Sequence, residues 1–444
     1  MRTAIFFCVV LIGQTLFASE LIESAGKDIH GPYEIRQLAH DGAWTWFNDE
    51  RVIVDRRILY IGSIDSQGRS RVDLYSLVSP LGNLPESEYI LSSWRSRDDH
   101  NNPALLKLAN SKILAAYTKH HLEPKLYWRL ADINTSGQKL IWGPQAQSTV
   151  EAKTTYSNLF QLSDENGRIY NFIRAIGFNP NFLYSDDMAE TWSGPFVLIK
   201  SGNDRTRPYV KYSGNGKDRI DFLYTDGHPR DVPNNSVYHL YYKKGGFYRS
   251  DGTFIKTLEQ VKQNPLVPSD GTKIYDGASD TGRGWVWDLE YDTQGHPVAV
   301  YINSADHAEG KDLRYRYARW DSTQNEWIER QIDFAGTHLY VPENHYAGGI
   351  TIDPDNTGTV YISADVNPAT GAPNPSGHYQ IFQGKVPRGN KDCQWTQLTF
   401  DAGVDNFRPV VPRRHGCKIC LVWLRGQYKT YTNYKTSIVG IIEK

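Results

Sequence analysis

The sequence predicts an all-β fold, a seven-bladed β-propeller, and three observations point there. A short apolar strand, a polar turn and a stronger apolar strand recur seven times along the 444 residues. The turns inside these copies read DENG, GNGKD, DTQG and DNTG, the Gly/Asn/Asp chemistry of hairpins. No long segment carries a helical period. Repeats of four short antiparallel strands build propellers, and a β-sandwich would not repeat one hairpin seven times.

The copies follow in order. The first and loosest is TWFNDERVIVDRRILYIGSI (45–64), followed by PALLKLANSKILAAYT (103–118) and NLFQLSDENGRIYNFIR (158–174). Then come PYVKYSGNGKDRIDFLYT (208–225), VWDLEYDTQGHPVAVYI (286–302), GGITIDPDNTGTVYISA (348–364) and RPVVPRRHGCKICLVWL (408–424). First strands are therefore expected near 45, 103, 158, 208, 286, 348 and 408. Their spacing leaves room for two further strands in each blade. Residues 185–192, SDDMAETW, match the Asp-box S-x-D-x-G-x-T-W, with Ala189 where the pattern has Gly. That motif marks a turn between the outer strands of a blade and says little about chemistry.

Residues 1–19 have the short positive start (Arg2), apolar middle and small-residue end of a secretory signal. Cys8 lies within the apolar stretch, which disfavours a lipid anchor. The remainder, 20–444, is expected to form a single propeller, secreted or periplasmic, acting as a monomer. No later segment is apolar enough to span a bilayer. A net charge of −1 argues against a nucleic-acid partner held by phosphate contacts. The chain has 28 Tyr and 12 Trp against 2 Met. Such aromatics suit sugar faces, yet they also suit strands, so composition alone does not choose.

Propeller geometry sorts the polar residues. The loop entering the first strand of a blade and the loop leaving the second open on one face, around the mouth of the central channel. His100 enters blade two and His120 leaves its second strand; Tyr156 enters blade three and Arg174 ends its second strand. Arg207 and Tyr209 enter blade four, Asp226 and His228 leave its second strand, and His345 and Tyr346 enter blade six. All should ring one mouth. Taken singly, each Tyr could be packing, and Arg174 could pair with a structural acid. Together they concentrate His, Tyr and Arg without an obvious carboxylate pair. Such a set suits abstraction of the proton alpha to a uronate carboxylate, whose charge a cation must neutralise. Glycoside hydrolysis usually needs two carboxylates at a set separation.

The motifs DDHNNPAL, YTKH, RPYVKY, RIDFLYTDGHPR with NNSVYH, and HYAGGI resemble the BNR-repeat polysaccharide lyases, and within them the seven-bladed ulvan lyases. The resemblance spans roughly residues 95–365. It implies β-elimination between sulfated rhamnose and a uronic acid, with His and Tyr as acid and base and Arg at the carboxylate. Carried over, the catalytic candidates are His100, His120, Tyr156, Arg174 and Tyr209, with Tyr224 not excluded. Arg207, His228, His345 and Tyr346 are the candidates for substrate binding. Which of His and Tyr is the base stays open, as do a lectin-like propeller and a sialidase-like hydrolase. The latter would need an arginine triad, and beyond Arg174 and Arg207 no third partner stands out.

Beyond the signal, Cys393, Cys417 and Cys420 remain, an awkward count for disulfides alone. With His415 they would suit a closed, structural zinc site joining blades six and seven; one disulfide with a free thiol is the competing expectation. No cofactor is expected for the chemistry itself.

Overall fold

The computed structural model describes residues 31–78, 82–134, 139–202, 206–279, 282–304, 309–389 and 391–444. The signal expected at 1–19 lies outside them. Seven antiparallel sheets, one for each repeat, make seven blades. Their first strands begin at Val52, Ala104, Leu159, Val210, Arg283, Gly349 and Asp405. Six starts match the sequence reading to within three residues. The first does not. Residues expected to open blade one at 45 instead plug the channel. Trp44, Trp46 and Phe47 are buried, Trp46 stacks on Trp287 at 4.1 Å, and Phe47 meets Tyr209 at 4.8 Å. Bulky apolar residues read alike whether they line a strand or fill a channel.

Ring closure was also not foreseen. Arg36–Ala39 pairs antiparallel with Asn433–Glu443, Arg36 opposite Gly440. Blade seven therefore takes three strands from the C-terminal end of the chain and its outermost from the N-terminal end. Joining the ends in one sheet fastens the last blade to the first and leaves no open ring.

The core lies between blades as well as at the centre. Phe160 and Phe172 of blade three pack against Tyr212 and Phe222 of blade four, with Phe172 and Tyr212 stacked at 4.6 Å. Gly167, Gly216 and Gly295 take the positive φ their hairpin turns demand. The Asp-box turn falls between Pro180–Ser185 and Ser193–Val197, as its motif requires. Asp187 accepts from Thr191 N (2.9 Å), and Ser185 Oγ accepts from Ala189 N (2.9 Å). Ala189 holds φ 69°, which explains the glycine usual at this position.

The cysteines are placed differently from the zinc expectation. Among the described residues, no three of Cys393, His415, Cys417 and Cys420 bring ligand atoms within 4.8 Å of one another. The Cys393 thiol donates to Lys385 O at 3.2 Å, and burial pushes its pKa up to about 12. His415 Nδ1 accepts the Cys417 N–H at 3.1 Å, so a neutral ring carries its proton on Nε2. That nitrogen faces Asp355 (3.4 Å) and Asp353 (3.8 Å) rather than a thiol. The residues as placed do not fit the ion.

Candidate active site at the channel mouth

The Asp98–Asn102 segment is built to hold a histidine still. Asp98 caps the short helical turn Asp99–Asn101, accepting the His100 N–H at 3.0 Å. Asn101 then accepts His120 N at 2.6 Å, which ties the entry of blade two to the exit of its second strand. Beneath, the buried Asp99 carboxylate binds Arg408 and Tyr428 of blade seven. Blades two and seven, on either side of blade one, thus hold one loop.

The side chains converge. His100 and His120 stack with ring centroids 4.0 Å apart, and Tyr431 of blade seven sits edge-on to both, at 5.2 and 5.6 Å. Arg174, buried at the end of strand Arg168–Arg174, donates through Nη1 to Tyr209 Oη at 2.5 Å. Its Nη2 lies 3.2 Å from His120 Nε2. The guanidinium also lies over the Tyr156 ring, 4.9 Å from the centroid. Tyr156 and Arg207 both take positive φ (68° and 53°), a conformation most residues avoid, at the loops entering blades three and four.

A chain of ring contacts continues around the mouth, with Tyr156–Tyr209 at 6.2 Å and Tyr209–His228 at 5.4 Å. It goes on through His228–His345 at 4.7 Å to His345–Tyr346 at 4.8 Å. The nine residues proposed from sequence for catalysis and substrate binding lie in this one region. Arg207 pairs with Asp231 beside it, and Arg230 binds Glu343 at 2.5 Å. Tyr224 does not join them; its hydroxyl donates to Pro268 O at 2.9 Å, buried within blade four.

The electrostatics differ from residue to residue. Burial opposes a charge on His100, but Asp98 and Asp99 outweigh it and hold its pKa up at about 9. Burial, then repulsion from His100, pushes His120 down to about 4. Tyr209 is lowered: burial works against its ionisation, and Arg174 and Arg207 overcome it. Tyr156 is raised, by burial and then by Tyr209. Neighbouring groups of one kind are driven apart, a common pattern where acid and base roles are divided.

Two clusters here have metal-like composition, Asp98/His100/His120 and His228/Glu343/His345. In the first, the ring nitrogens sit 2.8 Å from carboxylate oxygens, which is hydrogen bonding. In the second, His228 Nδ1 accepts the Arg230 N–H at 3.2 Å, so a neutral ring turns a protonated Nε2 toward Glu343. Hydrogen bonding accounts for the first, and the tautomer of His228 argues against a metal at the second.

A family model described as BNR repeat-containing family member matches residues 43–335. The chain belongs to this family. No curated protein sequence matches it. This BNR-repeat protein is similar in structure to an ulvan lyase, a polysaccharide lyase, solved with a glucuronate–rhamnose-3-sulfate repeat bound. The two share 12% identity over 93% of this chain and 96% of the other, at TM-score 0.64. The same kind of enzyme without that ligand matches at 12% identity and TM-score 0.63 over the same shares. A protein of unknown function from Dyadobacter fermentans follows at 12% identity and TM-score 0.45, over 79% of this chain and 96% of the other. The two ulvan lyase structures confirm the propeller fold.

Several residues of this BNR-repeat site escaped the sequence reading. Asp98 and Asp99 stood in the motif around His100 without a role, although two acids directly before a histidine are a signal. Glu343 stands two residues before His345 and was likewise readable. Tyr431 was not: it arrives from a hairpin at the far end of the chain, and no local pattern marks it.

Proposed function

We propose that this protein is a secreted or periplasmic polysaccharide lyase that cleaves a sulfated uronan, ulvan foremost, by β-elimination. The observation that carries the reading is the setting of Arg174. Its guanidinium touches Tyr209 Oη and His120 Nε2 at once, so a cation that can neutralise a uronate carboxylate lies against two candidate proton carriers. Removing the C-5 proton moves charge onto that carboxylate, and a fixed cation lowers the barrier by meeting the charge as it develops. His100, His120, Tyr156 and Tyr209 are the groups for taking the C-5 proton and protonating the leaving C-4 oxygen. Arg207, His228, His345 and Tyr346 continue the same surface and would hold adjoining sugars. The nearby carboxylates are engaged, Asp98 with both histidines, Asp99 with Arg408 and Glu343 with Arg230, which disfavours a two-carboxylate hydrolysis.

The similar ulvan lyase solved with a glucuronate–rhamnose-3-sulfate repeat supports the choice of polymer. The chemistry asks for no cofactor. The test is incubation with ulvan and a panel of other uronans, following absorbance of the conjugated alkene and resolving the products. A rise in absorbance with unsaturated uronyl ends is expected. Chain cleavage without absorbance would mean a hydrolase, and binding without cleavage a lectin-like propeller.

A further inference from the structure

We propose that Asp98 is the positioning residue of this site, its one carboxylate holding two stacked imidazoles by their Nδ1 atoms and sorting them into one neutral and one protonated ring. Asp98 Oδ1 lies 2.8 Å from His100 Nδ1, and Oδ2 lies 2.8 Å from His120 Nδ1. Both oxygens of one buried acid are therefore spent on two rings only 4.0 Å apart and 18° from parallel. Both Nδ1 atoms carry hydrogens, since a carboxylate only accepts.

The far nitrogens separate the pair. An arginine can only donate, so the Arg174 Nη2–H 3.2 Å from His120 Nε2 meets a lone pair there. His120 is thereby the neutral Nδ1–H tautomer. Among the described residues no arginine donates to His100 in this way. Instead its Nδ1 lies 2.8 Å from Asp99 Oδ1 as well as from Asp98, two carboxylates against one ring. Two imidazolium rings in contact would repel, so the pair holds one extra proton and His100 takes it. Burial and the surrounding charges together push each ring in the same sense, up for His100 and down for His120.

Every charged neighbour pulls the same way or is already paired. Tyr156 and Tyr431 face His100 as rings, at 5.6 and 5.2 Å. Arg408 and Tyr428 neutralise the far oxygen of Asp99. Glu343 is bound by Arg230, and Arg174 adds positive charge on the His120 side alone. The result is a lone pair and an acidic proton fixed side by side in one mouth. Its kinetic consequence rests on the lyase reading; the protonation pattern does not.

The test uses the full-length folded protein with labelled histidine, the two rings assigned from His100→Gln and His120→Gln spectra. At neutral pH, nitrogen shifts should show His120 as the Nδ1–H tautomer and His100 doubly protonated. In Asp98→Asn the His100 titration should fall by about one to three pH units, the usual effect of losing an adjacent opposite charge. The alkaline limb of kcat/KM should move to lower pH with it. Asp98→Glu, which keeps the charge, should restore a protonated His100 at neutral pH. Two neutral rings in the wild type, or an unshifted His100 in Asp98→Asn, would overturn the proposal. If Asp98→Asn does not fold, the wild-type tautomers alone decide it. A protein that produces no unsaturated ends from any uronan would sink the lyase reading while leaving the spectra to judge Asp98.

Discussion

Replacing Arg174 with lysine preserves the charge and removes the fork, which makes it the sharpest test of the mechanism. In the folded protein one planar group reaches Tyr209 Oη at 2.5 Å and His120 Nε2 at 3.2 Å while lying over Tyr156. A lysine ammonium is a compact point charge on a flexible stem and cannot reproduce both contacts with that geometry. One charge-assisted hydrogen bond is worth about 1.5–3 kcal/mol. A donor aimed at charge that grows in the transition state is worth about 2.7–4 kcal/mol, roughly a hundredfold to a thousandfold in rate. Arg174→Lys should therefore lower kcat by about a hundredfold or more and change KM little, because the lost contact strengthens only as the carboxylate gains charge. The assay is the initial rate of alkene formation across substrate concentrations, with thermal unfolding run beside it to show the variant is folded. A raised KM with kcat unchanged would make Arg174 a ground-state clamp and move the search for the neutraliser to Arg207 or to His100.

Other outcomes follow from the same contacts. His100→Ala and Tyr156→Phe should both cripple turnover in folded protein, since the His100 ring and the Tyr156 hydroxyl are offered as machinery of the mouth; wild-type rates in either would remove that residue from the mechanism. Deleting residues 31–42 removes the strand Arg36–Ala39 that closes the ring and the buried Leu38 side chain, at a cost of at least about 2–4 kcal/mol. An unchanged melting temperature in that truncation would show that the closure contributes nothing. Ala189→Gly should raise the denaturant midpoint by roughly 0.5–1 kcal/mol equivalent, because relief at positive φ exceeds the entropy of a glycine; a lower midpoint would contradict the strain argument. Cys393, Cys417 and Cys420 should all titrate as free thiols on denaturation, with no stoichiometric zinc by elemental analysis. Bound zinc would mean that these side chains gather in a way their placement does not show.

The sequence by itself determined the architecture and which face of it carries the candidate site. Hairpins repeat because each blade must bury both faces against its neighbours, so the same strand–turn–strand pattern had to be written seven times. Loops around a mouth carry polar residues that a packed blade does not need, and His100, Tyr156, Arg174 and Tyr209 were legible for that reason. Only the tertiary structure decided how those residues meet. That Trp46 and Phe47 plug the channel, that Arg36–Ala39 completes blade seven, and that Cys393, His415, Cys417 and Cys420 do not gather as one ligand set depend on where distant segments meet. The protonation of the two histidines depends on the same thing. His120 owes its neutral form to Arg174, 54 positions away, and Asp99 is held by Arg408, 309 positions away. Local pattern records what a residue needs from its own strand, whereas charge and hydrogen bonding depend on which groups stand within a few ångströms.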